Sequence, residues 1–145
     1  MKINREFTKN SQSPYENIKF KKVSTEILNP DGSLVFKLEN FEVPESWSQV
    51  ASDILSQKYF RKAGVPNKLK RTEEKNIPPW LSPRVVDEES EDLSFSSEKN
   101  SQQVFDRLAG AWTYWGWKGN YFSSEEDAKA FFDEVRYMLA MQMVA

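Results

Sequence analysis

The segment Asn29-Pro30-Asp31-Gly32 constrains the fold of this chain more than any other short segment. Pro30 has the fixed φ that a type I turn requires, and Gly32 can adopt the left-handed conformation that follows such a turn. Apolar and β-branched residues recur on both sides of these four residues. The pattern predicts a β-hairpin over residues 18–43.

This hairpin is expected to have one apolar side. Counting outward from the turn predicts three facing pairs, Ile27 with Leu34, Thr25 with Phe36, and Val23 with Leu38. Side chains two residues apart share one face of a strand, so these six are expected to lie together. Because a two-stranded hairpin is marginally stable alone in water, the apolar side needs a packing partner.

Three later segments have the apolar spacing of amphipathic helices. The first is predicted over residues 46–63, and the residues on its apolar stripe are Trp47, Val50, Ala51, Ile54, Leu55 and Tyr59. The second is predicted over residues 101–115 and is expected to be broken by Gly116 and Gly119. The third is predicted over residues 124–142, where Ser123-Ser124-Glu125-Glu126 has the form of a capping box.

Residues 66–98 contain four prolines, a basic run and an acidic run, with little periodic apolar content. They predict an extended or partly disordered connector, anchored only by Ile77, Trp80 and Leu81. The predicted fold class is therefore α+β and mainly helical. It consists of an amino-terminal β-hairpin followed by about three α-helices with a long irregular connector, in one domain over residues 1–145.

Composition excludes several kinds of chemistry. The chain has no Cys and no His, which removes thiol nucleophiles, imidazole bases and ordinary zinc sites. Its five glycines are isolated, so no phosphate-binding glycine loop is present. Glu125, Glu126 and Asp127 are adjacent on a helix and point in different directions, and Asp133 and Glu134 are expected on the solvent face. We therefore predict no catalytic, cofactor-binding or metal-binding residue in this chain.

No membrane span or secretory signal is expected either. No apolar run approaches the roughly 18–20 residues that a bilayer requires, and MKINREFTKN lacks the apolar core of a signal peptide. These observations predict a cytoplasmic protein.

The stretch from Gly110 to Phe122 contains three Trp, two Tyr and one Phe, which suits either a stacking platform or a wall between helices. A single-strand binder would intersperse its aromatic residues with cations, yet Lys118 is the one cation here. Trp112 and Trp115 share a helical face with the apolar stripe and are expected to be buried. Trp117 and Tyr121 are expected to remain exposed.

An alternative function is a free-standing module that binds single-stranded nucleic acid. Trp117 and Tyr121 would then act with the basic stretch Lys58–Lys75, which has seven cations in eighteen residues. The charge distribution argues against it, because residues 1–75 carry 14 Lys and Arg against 10 Asp and Glu while residues 76–145 carry 6 against 12. We therefore predict no nucleic-acid partner.

Three segments carry a family resemblance: FTKNSQSPYENIKFKKVSTEILNPDGSLVF, SWSQVA…QKYFRKAGVP and WTYWGWK…YF. They resemble the amino-terminal region of the adenosylcobalamin-dependent (class II) ribonucleotide reductases. The resemblance covers nearly the whole chain and is weakest between about Leu69 and Ser97. In that family a ten-stranded α/β barrel follows this region and carries the radical-forming cysteines and the adenosylcobalamin surface.

The resemblance implies a structural role. The full enzyme would convert ribonucleotides to deoxyribonucleotides for DNA synthesis, with a thioredoxin-like partner as reductant, and its catalytic barrel would lie outside this chain. None of the family's catalytic positions has a counterpart here. WTYWGWK would be a wall against which the enzyme body docks, so the docking-surface candidates are Trp112, Trp115, Trp117 and Tyr121. Why the chain ends at Ala145 is left open between a split gene, a fragment and a cloned domain.

Overall fold

The computed structural model describes residues 1–144, so Ala145 lies outside the described residues. A two-stranded antiparallel hairpin, β1 (Phe20–Leu28) and β2 (Leu34–Pro44), is followed by three helical segments joined by irregular chain. Helix content exceeds strand content, at 31% against 22%. The predicted α+β, mainly helical fold class is confirmed.

The predicted turn chemistry holds, but the predicted strand register is wrong. The Gly32 amide donates to the Asn29 carbonyl at 2.9 Å and the Asn29 amide to that of Ser33 at 2.8 Å. Gly32 has φ +85°, so the loop consists of a type I turn followed by a left-handed residue. The observed facing pairs are Ile27 with Phe36, Thr25 with Leu38, and Val23 with Phe41.

Bulges explain the error in register. Pairing shifts between Ile27 and Leu28 and again between Val23 and Thr25, because β2 has extra residues at both places. Each shift moves the pairing by one residue, and Leu28 already faces Leu34 where counting from the turn places Ser33. Ile27 and Thr25 therefore face partners two residues further along β2 than predicted, and they stay with those partners on the inner face. Leu34 instead lies opposite Leu28 near the turn, where both side chains are exposed.

Gly32→Ala is expected to lower the free energy of unfolding by about 1–2 kcal/mol, because an L side chain is strained at this positive φ. Urea denaturation followed by tryptophan fluorescence measures the change. Gly32→Asn is the matched control and should cost less, since Asn tolerates the left-handed region better. An alanine variant as stable as the unmodified chain would contradict the turn geometry.

The first helix is shorter than predicted and presents a different face inward. The helix α1 (Gln49–Ile54) begins after its cap Ser48, and a π-helical turn, Leu55–Tyr59, ends it four residues before the predicted boundary at 63. Hydrogen bonds from Gln49 to the Ser24 carbonyl and from Thr25 to Asp53 fix its rotation on β1. As a result Val50, Ile54 and Tyr59, all predicted on the inner stripe, are exposed.

Residues 66–98 form a long irregular connector, as predicted, and its short paired strands contradict only the alternative that it is partly disordered. Strands β3 (Val65–Pro66) and β6 (Phe95–Ser96) pair, and β4 (Leu69–Arg71) and β5 (Arg84–Val86) pair inside them, forming one interrupted antiparallel ribbon. The predicted anchors are confirmed: Ile77 and Leu81 are buried, and the Trp80 ring packs on Phe132 at 6.0 Å between centroids.

Two longer helices, α2 (Ser101–Lys118) and α3 (Glu125–Ala140), pack against each other. Gly116 was predicted to break α2, but the helix continues through it to Lys118. A Cβ on Gly116 would lie 2.8 Å from Cε2 of Phe122, so the glycine allows this ring to approach the helix. The α3 helix begins after Ser124, whose hydroxyl accepts the Asp127 amide.

The core lies where the hairpin, α1 and the two long helices meet. Trp47 is at its centre: its ring is 5.8 Å from that of Phe105 on α2, and its indole N–H donates to the Ala140 carbonyl at the end of α3 at 2.7 Å. The buried hydrophobic residues of this cluster are Tyr15, Phe41, Val43, Trp47, Leu55, Phe60, Val104, Phe105 and Ala140. Among residues 1–144, none of the helices is long and apolar enough to cross a bilayer.

Candidate functional site

The four aromatic candidates divide into two exposed and two half-buried residues. Trp115 and Tyr121 are each 64% exposed, whereas Trp112 and Trp117 are half-buried. The prediction that Trp115 is buried is therefore wrong, and Trp117 is less exposed than expected. The indole N–H of Trp117 donates to the Asn76 carbonyl at 2.7 Å, so the connector covers one edge of that ring.

Trp115 lies in the last turn of α2, and the ring of Tyr121 packs over Gly119, just after the end of that helix. The Gly119 amide donates to the Trp115 carbonyl at 2.9 Å, and the Tyr121 ring folds over the same glycine. A Cβ on Gly119 would lie 3.3 Å both from the Trp115 carbonyl oxygen and from Cε1 of Tyr121. We call these two side chains the aromatic surface.

The connector holds the end of α2 beneath this surface. The Glu74 carboxylate accepts hydrogen bonds from the Tyr114 hydroxyl and the Lys118 ammonium, both at 2.8 Å. The Lys118 bond, then the Tyr114 bond, hold the pKa of Glu74 below its ordinary value. On the neighbouring helix, the Trp80 indole donates to Glu125 at 2.8 Å. The hydrogen bonds to Glu74 therefore fix the carboxyl end of α2, which carries Trp115, against the connector.

The first residues of the chain are bound to α3 through Glu134. Its carboxylate accepts the backbone amides of Glu6, Phe7 and Thr8 at 3.0, 3.1 and 2.9 Å, as well as the Thr8 hydroxyl. Burial raises the pKa of Glu134, but these hydrogen bonds outweigh it and hold the pKa below its ordinary value. We call this contact the Glu134 latch.

A charged network continues from the latch across α3. Arg5 pairs with Asp133 at 2.6 Å, and Arg136 bridges Asp133 at 2.6 Å and Asp106 on α2 at 3.1 Å. The Tyr15 hydroxyl also donates to Asp106, and burial together with that carboxylate raises the pKa of Tyr15. The prediction that Asp133 and Glu134 face solvent is wrong, because Glu134 is 7% exposed and Asp133 is held between two arginines.

The sequence did not reveal the residues of the Glu134 latch and the charged network. Helical spacing identifies the apolar face of a helix, and charged residues outside that face are assumed to lie in solvent. The available signal was the presence of Arg5 and Thr8 among the first ten residues, since both side chains can donate hydrogen bonds to the carboxylates of α3. The network contains no cysteine or histidine, and its carboxylates are taken up by arginines and backbone amides. It explains how the first residues are held and gives no acid–base pair for chemistry.

Comparison with known proteins agrees with the resemblance. The sequence profile of the class II vitamin B12-dependent ribonucleotide reductases matches residues 21–142. The chain belongs to this family.

Individual relatives locate the chain within the reductases. It is 59% identical to a vitamin B12-dependent ribonucleotide reductase of Bradyrhizobium diazoefficiens and 57% identical to that of Agrobacterium fabrum, over its whole length in both cases. A Streptomyces coelicolor reductase is 26% identical over 99% of the chain. The chain spans only 12% of each of these relatives, as the amino-terminal region of a larger enzyme.

Among the described residues, the two best-formed concavities and the arrangement of acidic side chains offer no fit to a cobalamin. Within residues 1–144, no three metal-ligating side chains converge on one point. Two concavities, of about 160 and 290 Å³, fall below the roughly 300–1,000 Å³ of sites that hold even drug-sized ligands. The relatives are named as vitamin B12-dependent enzymes, so cobalamin belongs to the full-length enzyme.

Proposed function

We propose that this chain is the amino-terminal, non-catalytic part of an adenosylcobalamin-dependent ribonucleotide reductase, which makes deoxyribonucleotides for DNA synthesis. The observation that carries the proposal is that the whole chain is 59% identical to a stretch that makes up 12% of such an enzyme. The lack of Cys and His supports a non-catalytic role. The proposal includes a catalytic barrel, a thioredoxin-like reductant for the full enzyme and a cytoplasmic location.

The aromatic surface is proposed to dock on the remainder of the reductase. Trp and Tyr are among the residues that most often dominate binding at protein interfaces. Here Trp115 in the last turn of α2 and Tyr121 just after it are both exposed. Contiguous exposed apolar area marks interaction sites on soluble proteins. Trp112 and Trp117 would support the surface from within, since both are half-buried.

Trp115→Ala is expected to weaken association with the remainder of the enzyme about 10- to 30-fold, as for a truncated hot-spot residue. The measurement titrates this chain into the Bradyrhizobium reductase lacking its matching region and follows ribonucleotide reduction in the presence of adenosylcobalamin. Tyr121→Ala should give a similar loss. Val35→Ala, an exposed apolar position on the hairpin, is the control and should change little.

The outcomes separate the proposed function from the proposed surface. If the unmodified chain neither binds nor restores the truncated enzyme, or if it reduces nucleotides alone, the proposed function is wrong. If it restores activity but Trp115→Ala and Tyr121→Ala behave like the control, the docking surface lies elsewhere. The nucleic-acid alternative predicts salt-sensitive tryptophan quenching by an oligonucleotide, and we expect none.

A further inference from the structure

Two arginines face each other across the inner part of the connector ribbon. The register of β4 and β5 places Arg71 directly opposite Arg84. Side chains of directly opposed residues project from the same face of an antiparallel pair and come close together. Both residues are exposed as a whole, although the Arg71 guanidinium is partly covered where it bonds the Ser82 carbonyl.

The ladder and one side-chain bond hold the pair in place. The Arg71 guanidinium donates through one nitrogen to the Ser82 carbonyl at 2.7 Å, which keeps it at the end of the ladder where Arg84 lies. The Thr72 amide bonds the Pro83 carbonyl at 2.8 Å, which continues the pairing beyond the two arginines. The remaining N–H groups of Arg71 stay available to a ligand.

The described chain gives this pair no neutralising partner. Across residues 1–144, neither arginine has a carboxylate within ion-pair distance. Lys70 lies on the opposite face of the same strand, and its Nζ is 3.9 Å from a carboxylate oxygen of Asp87 and 3.9 Å from one of Glu89. Burial, and then the positive charge of Arg84, lower the pKa of Arg71.

Such an arrangement is unfavourable unless something binds it. Like charges directly opposite each other destabilise a strand pair, and a two-stranded ladder of three residues has little stability of its own. An anion between the two groups converts the repulsion into charge-assisted hydrogen bonds. Arginine suits this role because its planar fork matches the oxygens of carboxylates and phosphates.

We propose that Arg71 and Arg84 form a binding site for one oxyanion, a carboxylate or phosphate group with at least two free oxygens. The ligand oxygens accept hydrogen bonds from both guanidinium groups. Two sources present this chemistry, an acidic side chain on the remainder of the reductase and the phosphate of a nucleotide. The site itself depends on the connector geometry, whereas the acidic side chain as its source rests on the proposed function.

Arg84→Gln is expected to leave the free chain as stable as before or more stable, because it removes the repulsion, while weakening oxyanion binding at least tenfold. The test records thermal unfolding of the 145-residue chain against pyrophosphate and, separately, glutarate, with ionic strength held constant by sodium chloride. A saturable rise of a few degrees in Tm is expected for at least one probe. Titration calorimetry then gives the stoichiometry, expected to be one.

Two further variants separate a site from general charge screening. Lys70→Gln removes a cation from the opposite face and should leave the affinity within about twofold. Arg71→Lys keeps the charge but loses the planar fork, and should bind more weakly than the unmodified chain. The preferred probe indicates the source, with pyrophosphate pointing to nucleotides and glutarate to acidic side chains. The proposal is overturned if the rise in Tm saturates with neither probe. It is also overturned if Arg84→Gln retains the response, or if Lys70→Gln abolishes it as fully as Arg84→Gln does.

Discussion

Trp47→Ala is expected to lower the free energy of unfolding by about 3–5 kcal/mol, the usual range for removing a large buried aromatic side chain. Trp47 is 7% exposed and contacts two later elements, the Phe105 ring on α2 and the Ala140 carbonyl at the end of α3. Its loss leaves a cavity where the hairpin and both long helices meet. Urea denaturation followed by far-ultraviolet circular dichroism measures the effect.

Trp47→Phe separates packing from hydrogen bonding. Phenylalanine keeps most of the ring but cannot donate to Ala140, so a loss of about 1–2 kcal/mol is expected, including the smaller volume. Val50→Ala, at a highly exposed position one turn later, is the control and should change stability by less than about 0.5 kcal/mol. Equal losses for Trp47→Ala and Val50→Ala would show that Trp47 is not part of the core.

Glu134→Gln is expected to lower the free energy of unfolding by about 2–3 kcal/mol at pH 7, because charge-assisted bonds to backbone amides are replaced by weaker ones to an amide oxygen. The Thr8 hydroxyl and the three amides of the Glu134 latch lose the anion that they surround. Glu126→Gln, on the exposed side of the same helix, is the control and should have little effect.

The latch also predicts a pH dependence with a definite sign. Hydrogen bonds hold the folded-state pKa of Glu134 below the unfolded value of about 4.3. The unfolded chain therefore binds this proton more readily, so the latch contributes its full stability above pH 4.3 and loses it as the pH falls through the lower folded value. Stability measured between pH 3 and 6 should fall less steeply in Glu134→Gln, and an unchanged slope would contradict the latch.

Local signals in the sequence predicted local structure well. The Pro30–Gly32 turn and the anchors Ile77 and Leu81 each depend on residues within one or two turns of chain, and the structure confirms them. The predicted capping box of α3 is displaced by one residue, because Ser124 rather than Ser123 caps the helix and bonds the Asp127 amide. The strand register could not be predicted in the same way. A bulge adds one residue without any mark in the alternating pattern, so counting from the turn misplaces every pair beyond it.

The candidate site was predicted only in part. Aromatic density marks the segment, but which ring is exposed depends on tertiary contacts: the connector covers one edge of Trp117, while Trp115 is 64% exposed. Arg71 and Arg84 lie thirteen positions apart in an irregular segment, and only the register of the ribbon shows that they face each other. Partners joined by long-range pairing leave no periodic signal.

The Glu134 latch joins residues 126 positions apart, which bears on how the protein is made. A ribosome adds roughly 5–20 residues per second, so Thr8 is polymerised about 6–25 s before Glu134. During that interval the leading segment lacks the Glu134 carboxylate as acceptor for its amides, and α3, which is translated after α1 and α2, completes the contacts of the first residues. Closure of the domain therefore has to wait until translation has passed α3.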